Sequence, residues 1–167
     1  MPLRIGILTI SDRSFHGERA DTSGPAIAAV VQEQAWQVVK TAIISDDYEK
    51  IKDTLCDWSD ADEVDLILTS GGTGFAPRDV TPEATKAIIQ REAPGLTEVM
   101  RHASLKITPH AMLSRSIAGI RNKTLIINLP GSPKAGVENL TAILAVLPHA
   151  IELLQDHPDA ESGHHQF

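Results

Sequence analysis

The sequence predicts an α/β protein: a mainly parallel sheet with helices on both faces. Three observations carry this. Short apolar runs rich in β-branched residues alternate along the chain with segments of helical apolar spacing, the pattern of βαβ units. Four of these runs end in polar or glycine-rich turns, and in open parallel sheets ligands bind at the carboxyl ends of the strands. The composition is ordinary for a globular chain, with 42% apolar and 22% charged residues, which excludes a wholly disordered protein.

Residues 3–10, Leu-Arg-Ile-Gly-Ile-Leu-Thr-Ile, read as a buried strand. A polar loop leads to Asp21. Thr22-Ser23-Gly24-Pro25 then opens a helix, with a hydroxyl N-cap candidate and proline in the first turn. Ile27, Val30, Val31 and Ala35 share one face of it. Residues 38–44 form the second strand. Ser45-Asp46-Asp47 ends it and can cap a helix over 48–58, where Ile51, Leu55 and Trp58 are spaced i, i+4, i+7.

The third strand, 64–69, runs into Ser70-Gly71-Gly72-Thr73-Gly74. Thr81-Pro82-Glu83-Ala84 supplies a cap, an N1 proline and an acidic first turn, for a helix expected to reach about Glu92. Pro94-Gly95 breaks it, and another helical segment runs to about Ser104. Residues 109–120 fit either a short hairpin or a strand with turns. Residues 124–129, Thr-Leu-Ile-Ile-Asn-Leu, are the clearest strand, stopped by Pro130-Gly131-Ser132-Pro133. A long helix from about Lys134 to Gln155 closes the fold, interrupted by Pro148. The expected organisation is one domain over 1–155 and a polar, His-bearing tail over 156–167 that frays.

Composition narrows the function classes. The chain has 167 residues, with 15 Lys+Arg against 22 Asp+Glu and a formal charge of −7. A chain of this size buries roughly 70% of its unfolded surface. Cys56 is the one cysteine, so an intramolecular disulfide and a cysteine-based zinc site are excluded, and a reducing compartment fits. No secretory signal is legible, and no stretch approaches the ~20 apolar residues that span a bilayer; the expectation is a cytoplasmic protein with no membrane partner. Phosphate-backbone affinity comes from clustered Lys and Arg, so no nucleic-acid partner is expected either. An anionic ligand would need a local positive site.

Ser70-Gly71-Gly72-Thr73-Gly74 is a glycine-rich turn after a strand, where successive amides can form an anion-binding nest, with the Thr73 hydroxyl beside it. It is neither a Walker A motif nor a dinucleotide fingerprint. A tight strand-to-helix turn without a ligand needs the same residues. Asp79, in Arg78-Asp79-Val80-Thr81-Pro82-Glu83, precedes a helix. It reads as a helix-entry residue or as a Mg²⁺ ligand beside a phosphate nest, since Mg²⁺ at phosphate-transfer sites uses one or two carboxylates plus the substrate's phosphates. Asp46 is the natural second carboxylate, though Asp46 or Asp47 could equally cap the following helix. Pro130-Gly131-Ser132-Pro133-Lys134 offers a second concavity, a hydroxyl and a point charge, or else a proline-delimited loop with an exposed lysine. Ser11-Asp12-Arg13 is a weaker triplet of the same kind. Cys56 reads as a small core residue, Trp36 and Trp58 as packing residues, and the seven His show no paired metal spacing.

Thr9-Ile10-Ser11-Asp12-Arg13, Thr69-Ser70-Gly71-Gly72-Thr73-Gly74, Arg78-Asp79-Val80-Thr81-Pro82-Glu83-Ala84 and Asn128-Leu129-Pro130-Gly131-Ser132-Pro133-Lys134 resemble, in order, the motifs of the molybdopterin adenylyltransferase family, which includes the G domain of gephyrin. Ser104-Leu105 and Leu113-Ser114-Arg115 also look family-like. The resemblance covers about residues 3 to 155.

It implies a three-layer α/β/α sandwich around a mainly parallel sheet, assembled as a homotrimer. The implied reaction transfers AMP from Mg-ATP to the terminal phosphate of molybdopterin and releases pyrophosphate, with the product handed to a molybdenum insertase. The family's two functional aspartates match Asp46 and Asp79, as catalytic residues and Mg²⁺ ligands, with Asp47 as the neighbour that could displace Asp46. Nucleotide phosphates are assigned to Gly71, Gly72, Thr73 and Gly74. Molybdopterin is assigned to Ser11, Asp12, Ser104, Pro130, Gly131, Ser132 and Lys134, its phosphate to Ser132 and Lys134. Two other classes share these residues: a non-catalytic molybdopterin-binding or scaffold protein, and a nucleotide pyrophosphatase-type relative.

Overall fold

The computed structural model describes residues 2–156. It contains six strands: β1 (Arg4–Ile10), β2 (Gln37–Ile44), β3 (Leu66–Ser70), β4 (Arg91–Glu92), β5 (Ala118–Arg121) and β6 (Thr124–Leu129). Seven α-helices accompany them: α1 (Asp12–Phe15), α2 (Ser23–Glu33), α3 (Tyr48–Asp60), α4 (Thr81–Ile88), α5 (Pro94–Leu105), α6 (Pro133–Ile143) and α7 (Leu147–Leu154). One sheet forms in the order β2-β1-β3-β6-β5-β4. β2, β1, β3 and β6 are mutually parallel, and β5 and β4 are added antiparallel. The sheet is thus mainly parallel, as the sequence predicts.

Strand alternation builds two cores, because successive side chains point to opposite faces. Ile5, Ile7, Leu66, Leu68, Leu125, Ile127 and Leu129 pack on one face with Ile27 and Val31 of α2, Met100 of α5, Leu140 and Ile143 of α6 and Ile151 of α7. Leu8, Ile10, Ile67 and Ile126 pack on the other with Ile51 and Leu55 of α3 and Ala84 and Ile88 of α4. Those two clusters make three layers. Trp36 packs against the first and Trp58, with Cys56, against the second. Burial pushes the Cys56 thiol up from its ordinary value, which suits an inert packing residue.

Several boundaries depart from the sequence reading. The polar loop after β1 contains α1, capped by the Ser11 hydroxyl, which accepts from the Ser14 N–H at 3.2 Å. Thr22 occupies the N-cap of α2 but makes no side-chain cap bond; the Asp21 carboxylate does, accepting from Ser23 and Gly24 at 3.0 and 3.1 Å. The Thr81 hydroxyl does not cap α4 either. It donates to the Gly71 carbonyl at 2.9 Å. α4 stops at Ile88 because Arg91–Glu92 joins the sheet as β4. Residues 109–120 resolve into a 3₁₀ turn at Pro109–Leu113 and then β5. β5 meets β6 across Asn122-Lys123, with Asn122 at φ 51, the left-handed conformation that tight hairpins require.

The C-terminal run splits into α6, a 3₁₀ turn (Leu144–Val146) and α7, with Pro148 in the first turn of α7. Taken whole, Pro133–Leu154 spans 22 residues and is long and apolar enough to cross a bilayer by composition, which the sequence reading did not anticipate. Its Leu140, Ile143, Leu147 and Ile151 are buried in the first core. Of the tail expected to fray, residues 157–167 lie outside the described residues.

Candidate functional site

The four carboxyl ends are brought level by register. Ile10 pairs with Ile44, Thr9 with Ser70, and Ser70 with Leu129. The loops that follow therefore meet at one edge, as their sequences suggest. They line a cavity of about 480 Å³ that includes Ser11, Asp46, Gly71, Gly72, Asp79, Gly131 and Ser132.

Gly71 and Gly72 have φ of +107 and +66, positive values that glycine enters far more readily than other residues. Space demands glycine as well. A Cβ on Gly71 would lie 2.2 Å from the Ile10 carbonyl oxygen, and one on Gly72 would lie 2.3 Å from Thr81 Oγ1 and 3.2 Å from Asp46 Oδ1. The turn is less open as a nest than its sequence suggests. The Gly71 N–H donates to the Leu129 carbonyl at 3.2 Å, and the Gly74 N–H to Asp79 Oδ2 at 3.1 Å. Both amides are already used inside the fold.

Asp46 and Asp47 separate cleanly. Asp47 caps α3, its Oδ1 accepting from the Lys50 N–H at 2.9 Å. Asp46 instead reaches across to the start of α1: its Oδ2 accepts from the Asp12 N–H at 2.8 Å, and its own N–H donates to Asp12 Oδ1 at 3.0 Å. Arg78 holds Asp12 in turn, through Nε to Oδ2 at 2.6 Å and NH2 to Oδ1 at 2.9 Å. Burial pushes the Asp46 carboxyl above its ordinary value; the Asp12 N–H opposes this, and the Asp12 and Asp79 charges add to it. Asp12 is held below its ordinary value by the Arg78 hydrogen bond.

Asp79 Oδ2 accepts from both Gly74 and Ala76 N–H at 3.1 Å. Among the described residues, Asp46 Oδ1 and Asp79 Oδ1 receive no hydrogen bond. Two carboxylates with an oxygen each to spare, the Asp46 carboxyl pushed up first by burial and then by the Asp12 and Asp79 charges, suit a hard cation. Among the described residues no group of three or more His, Cys, Asp or Glu is placed to hold a metal ion, so a ligand would have to complete such a coordination shell.

The remaining residues divide. Thr73, Gly74, Ser104 and Pro130 line a second cavity of about 260 Å³. Ser104 is oriented there by Asn139, whose Nδ2 donates to its hydroxyl at 2.8 Å. Asp12 braces Asp46 from outside the first cavity. Lys134 lines neither: its side chain is 81% exposed, 3.9 Å from Glu138. The sequence reading missed Asp21, which joins Thr9 (Oγ1 donating at 2.8 Å) to the start of α2 and lines the first cavity. The signal was an Asp immediately before Thr22-Ser23-Gly24-Pro25. It also missed Ser23, whose hydroxyl donates to the Gly131 carbonyl at 2.6 Å, and Asn139.

A doubly wound α/β domain with glycine turns and two spare carboxylate oxygens at its carboxyl edge is the class of fold that binds ligands at the carboxyl ends of its parallel strands. The family model described as probable molybdopterin binding domain matches residues 6–149. The chain is 46% identical to gephyrin from Dictyostelium discoideum, over 92% of this chain but 23% of that protein, so it spans about a quarter of that relative's length. It is 45% identical to a molybdopterin adenylyltransferase from Helicobacter pylori strain J99, over 91% of this chain and 88% of that one. The crystal structure of the molybdopterin biosynthesis enzyme MoaB from Thermus thermophilus superposes with a TM-score of 0.88 at 51% identity, covering 93% of this chain and 98% of that one. The chain belongs to the molybdopterin-binding family of molybdenum cofactor biosynthesis.

Proposed function

We propose that the protein is a molybdopterin adenylyltransferase: it moves AMP from ATP to the terminal phosphate of molybdopterin and releases pyrophosphate. The observation that carries this reading is the convergence of Asp46 and Asp79 on one cavity with Gly71, Gly72, Gly131 and Ser132. A terminal phosphate oxygen attacks the α-phosphorus of ATP, a new P–O bond forms, and the P–O bond to pyrophosphate breaks. The nucleophile is already anionic at neutral pH, so no strong base is needed. The difficulty is bringing two anions together in line, and that calls for positioning and charge stabilisation.

Asp46 and Asp79 are the residues that would hold Mg²⁺. When bound it supplies charge neutralisation on the transferring phosphates. In this reading the nucleotide phosphates lie between the Gly71-Gly72 and Gly131-Ser132 turns. The pterin occupies the adjoining cavity with Ser104, Pro130, Thr73 and Gly74, so one turn touches both ligands. Lys134 contributes only at the rim. A homotrimer that passes its product to a molybdenum insertase belongs to the same reading. Incubating the protein with molybdopterin, ATP and Mg²⁺ should yield adenylylated molybdopterin and pyrophosphate in equal amounts. Hydrolysis of ATP without adenylylated product would replace the transferase reading with a pyrophosphatase one.

A further inference from the structure

We infer that Arg115 is a positioning residue, one that fixes the Gly74–Asp79 turn as the shared wall of the two cavities; its kinetic part rests on the transferase reading above. Arg115 lies between the 3₁₀ turn and β5, far in sequence from the glycine turn, yet nearly all its polar groups are spent there. Its N–H donates to the Thr73 carbonyl at 2.9 Å. Its Nε donates to the Gly74 carbonyl at 2.7 Å and its NH2 to the Asp79 carbonyl at 2.7 Å. Its NH1 pairs with Glu83 in the first turn of α4.

The two carbonyls bracket a turn whose Phe75 is 69% exposed, so packing does little to hold its tip. What holds its ends is polar. From inside, Asp79 Oδ2 collects the Gly74 and Ala76 amides. From outside, the guanidinium ties the same two ends through their carbonyls. A guanidinium is suited to this because its donors form a rigid planar fork, which an ammonium cannot imitate. The turn's two ends serve different cavities: Thr73 and Gly74 line the second and Asp79 the first. Arg115 therefore sets the distance between whatever each cavity holds, without touching either ligand.

The test uses Arg115→Ala and Arg115→Lys in the whole chain, with two readouts. Amide hydrogen exchange in the ligand-free protein should show the Gly74 N–H exchanging faster in both variants, with the β6 amides unchanged. In the adenylylation assay, kcat should fall about tenfold to a hundredfold in both, the scale of a small misplacement of a reacting group, with KM for ATP nearly constant. Added guanidinium chloride at low millimolar concentration should restore part of the Arg115→Ala loss. Glu83→Gln, which removes the ion pair and leaves both carbonyl bonds, should keep Gly74 protected. The assignment is overturned if Arg115→Lys keeps both the Gly74 protection and kcat, or if β6 exchange rises in step with Gly74, which would mark general destabilisation. Should Arg115→Ala not fold, Arg115→Lys and Glu83→Gln decide the matter. A wild type that makes no adenylylated product would end the transferase reading by itself, and the exchange result would still decide the role of Arg115.

Discussion

Asp12 and Asp46 exchange bonds across the ends of β1 and β2: each backbone N–H is accepted by the other's carboxylate, at 2.8 and 3.0 Å. Two acidic residues are thereby tied together through their backbones, with Arg78 on Asp12 as the compensating charge. The arrangement leaves Asp46 Oδ1 facing Gly72. It explains why the carboxylate that belongs to the cavity is Asp46 and not its neighbour.

Asp46→Asn should abolish adenylylation with little loss of stability, because an amide oxygen still accepts the Asp12 N–H. Asp47→Ala should do the reverse, costing about 0.5–2 kcal/mol through loss of the α3 cap and leaving turnover near wild type. Paired kinetics and urea denaturation check this, and the opposite pattern would move the catalytic role to Asp47.

Asp79→Asn should lose roughly 10²-fold or more in kcat, the scale of removing one electrostatic group, while keeping an acceptor for the Gly74 and Ala76 amides. Asp79→Ala removes that acceptor too, so it should add faster exchange at Gly74 to the same kinetic loss. Wild-type turnover in Asp79→Asn would remove Asp79 from the metal site.

The acid dependence of stability should carry the sign of Asp46. A carboxyl raised in the folded state contributes stability that is complete below its unfolded value of 3.8 and is lost as pH climbs through the folded value. Asp46→Asn should therefore melt above wild type near neutral pH, and the gap should close as pH falls. Asp12, lowered by Arg78, works oppositely: its contribution is present above the unfolded value and lost on acidification. Melting curves of Asp46→Asn across the acid range test the sign. A variant that melts lower than wild type at neutral pH would contradict it.

Ser104→Ala should weaken molybdopterin binding more than Lys134→Ala does. Ser104 lines the second cavity and is held there by Asn139, whereas Lys134 is 81% exposed and lines neither cavity. Calorimetric titration of both variants compares them directly, and a larger loss in Lys134→Ala would return the pterin phosphate to the Ser132-Lys134 turn.

Asn128→Ala should destabilise the fold by about 1–3 kcal/mol, the cost of stranding buried polar partners. Its fully buried amide donates to the Thr69 and Thr85 hydroxyls at 3.1 and 3.0 Å and accepts from the Ile117 N–H at 3.3 Å. Urea midpoints at unchanged m-value measure it.

Apolar runs such as Thr-Leu-Ile-Ile-Asn-Leu and Val-Asp-Leu-Ile-Leu-Thr placed the strands, and the turns after them placed the cavity, because burial on both faces leaves little else such runs can be. Which carboxylate caps and which faces the cavity was not legible. Asp46 and Asp47 are adjacent and chemically identical, and only the approach of Asp12 at the start of α1 separates them. Thr22 and Thr81 looked like caps because a hydroxyl before a helix usually is one; here Asp21 displaces the first, and the Gly71 carbonyl engages the second. Asn139 gives no local signal, and Arg115 is legible only as part of the family-like Leu113-Ser114-Arg115 segment; the role of each is hidden because it acts on a turn or helix distant in sequence. The division into two cavities was illegible for the same reason: Gly72 and Thr73 are neighbours in the chain and line different walls.

The central pairing of the sheet joins β3 to β6, with Thr69 and Asn128 linked across a sequence separation of 59. Such a contact must close a long loop before it returns any stabilisation, so it comes late and slowly in folding. During synthesis, β1, β2 and β3 emerge with Ser11, Asp46 and the glycine turn already on the chain, but their neighbouring edge stays open. The Gly71 N–H waits for Leu129, the Ser23 hydroxyl for Gly131, and the Gly74 carbonyl for Arg115. A nascent chain truncated before β6 would therefore carry both candidate metal-binding carboxylates and lack the enclosed cavity between them, and its unpaired β3 edge would be open to pairing with another chain.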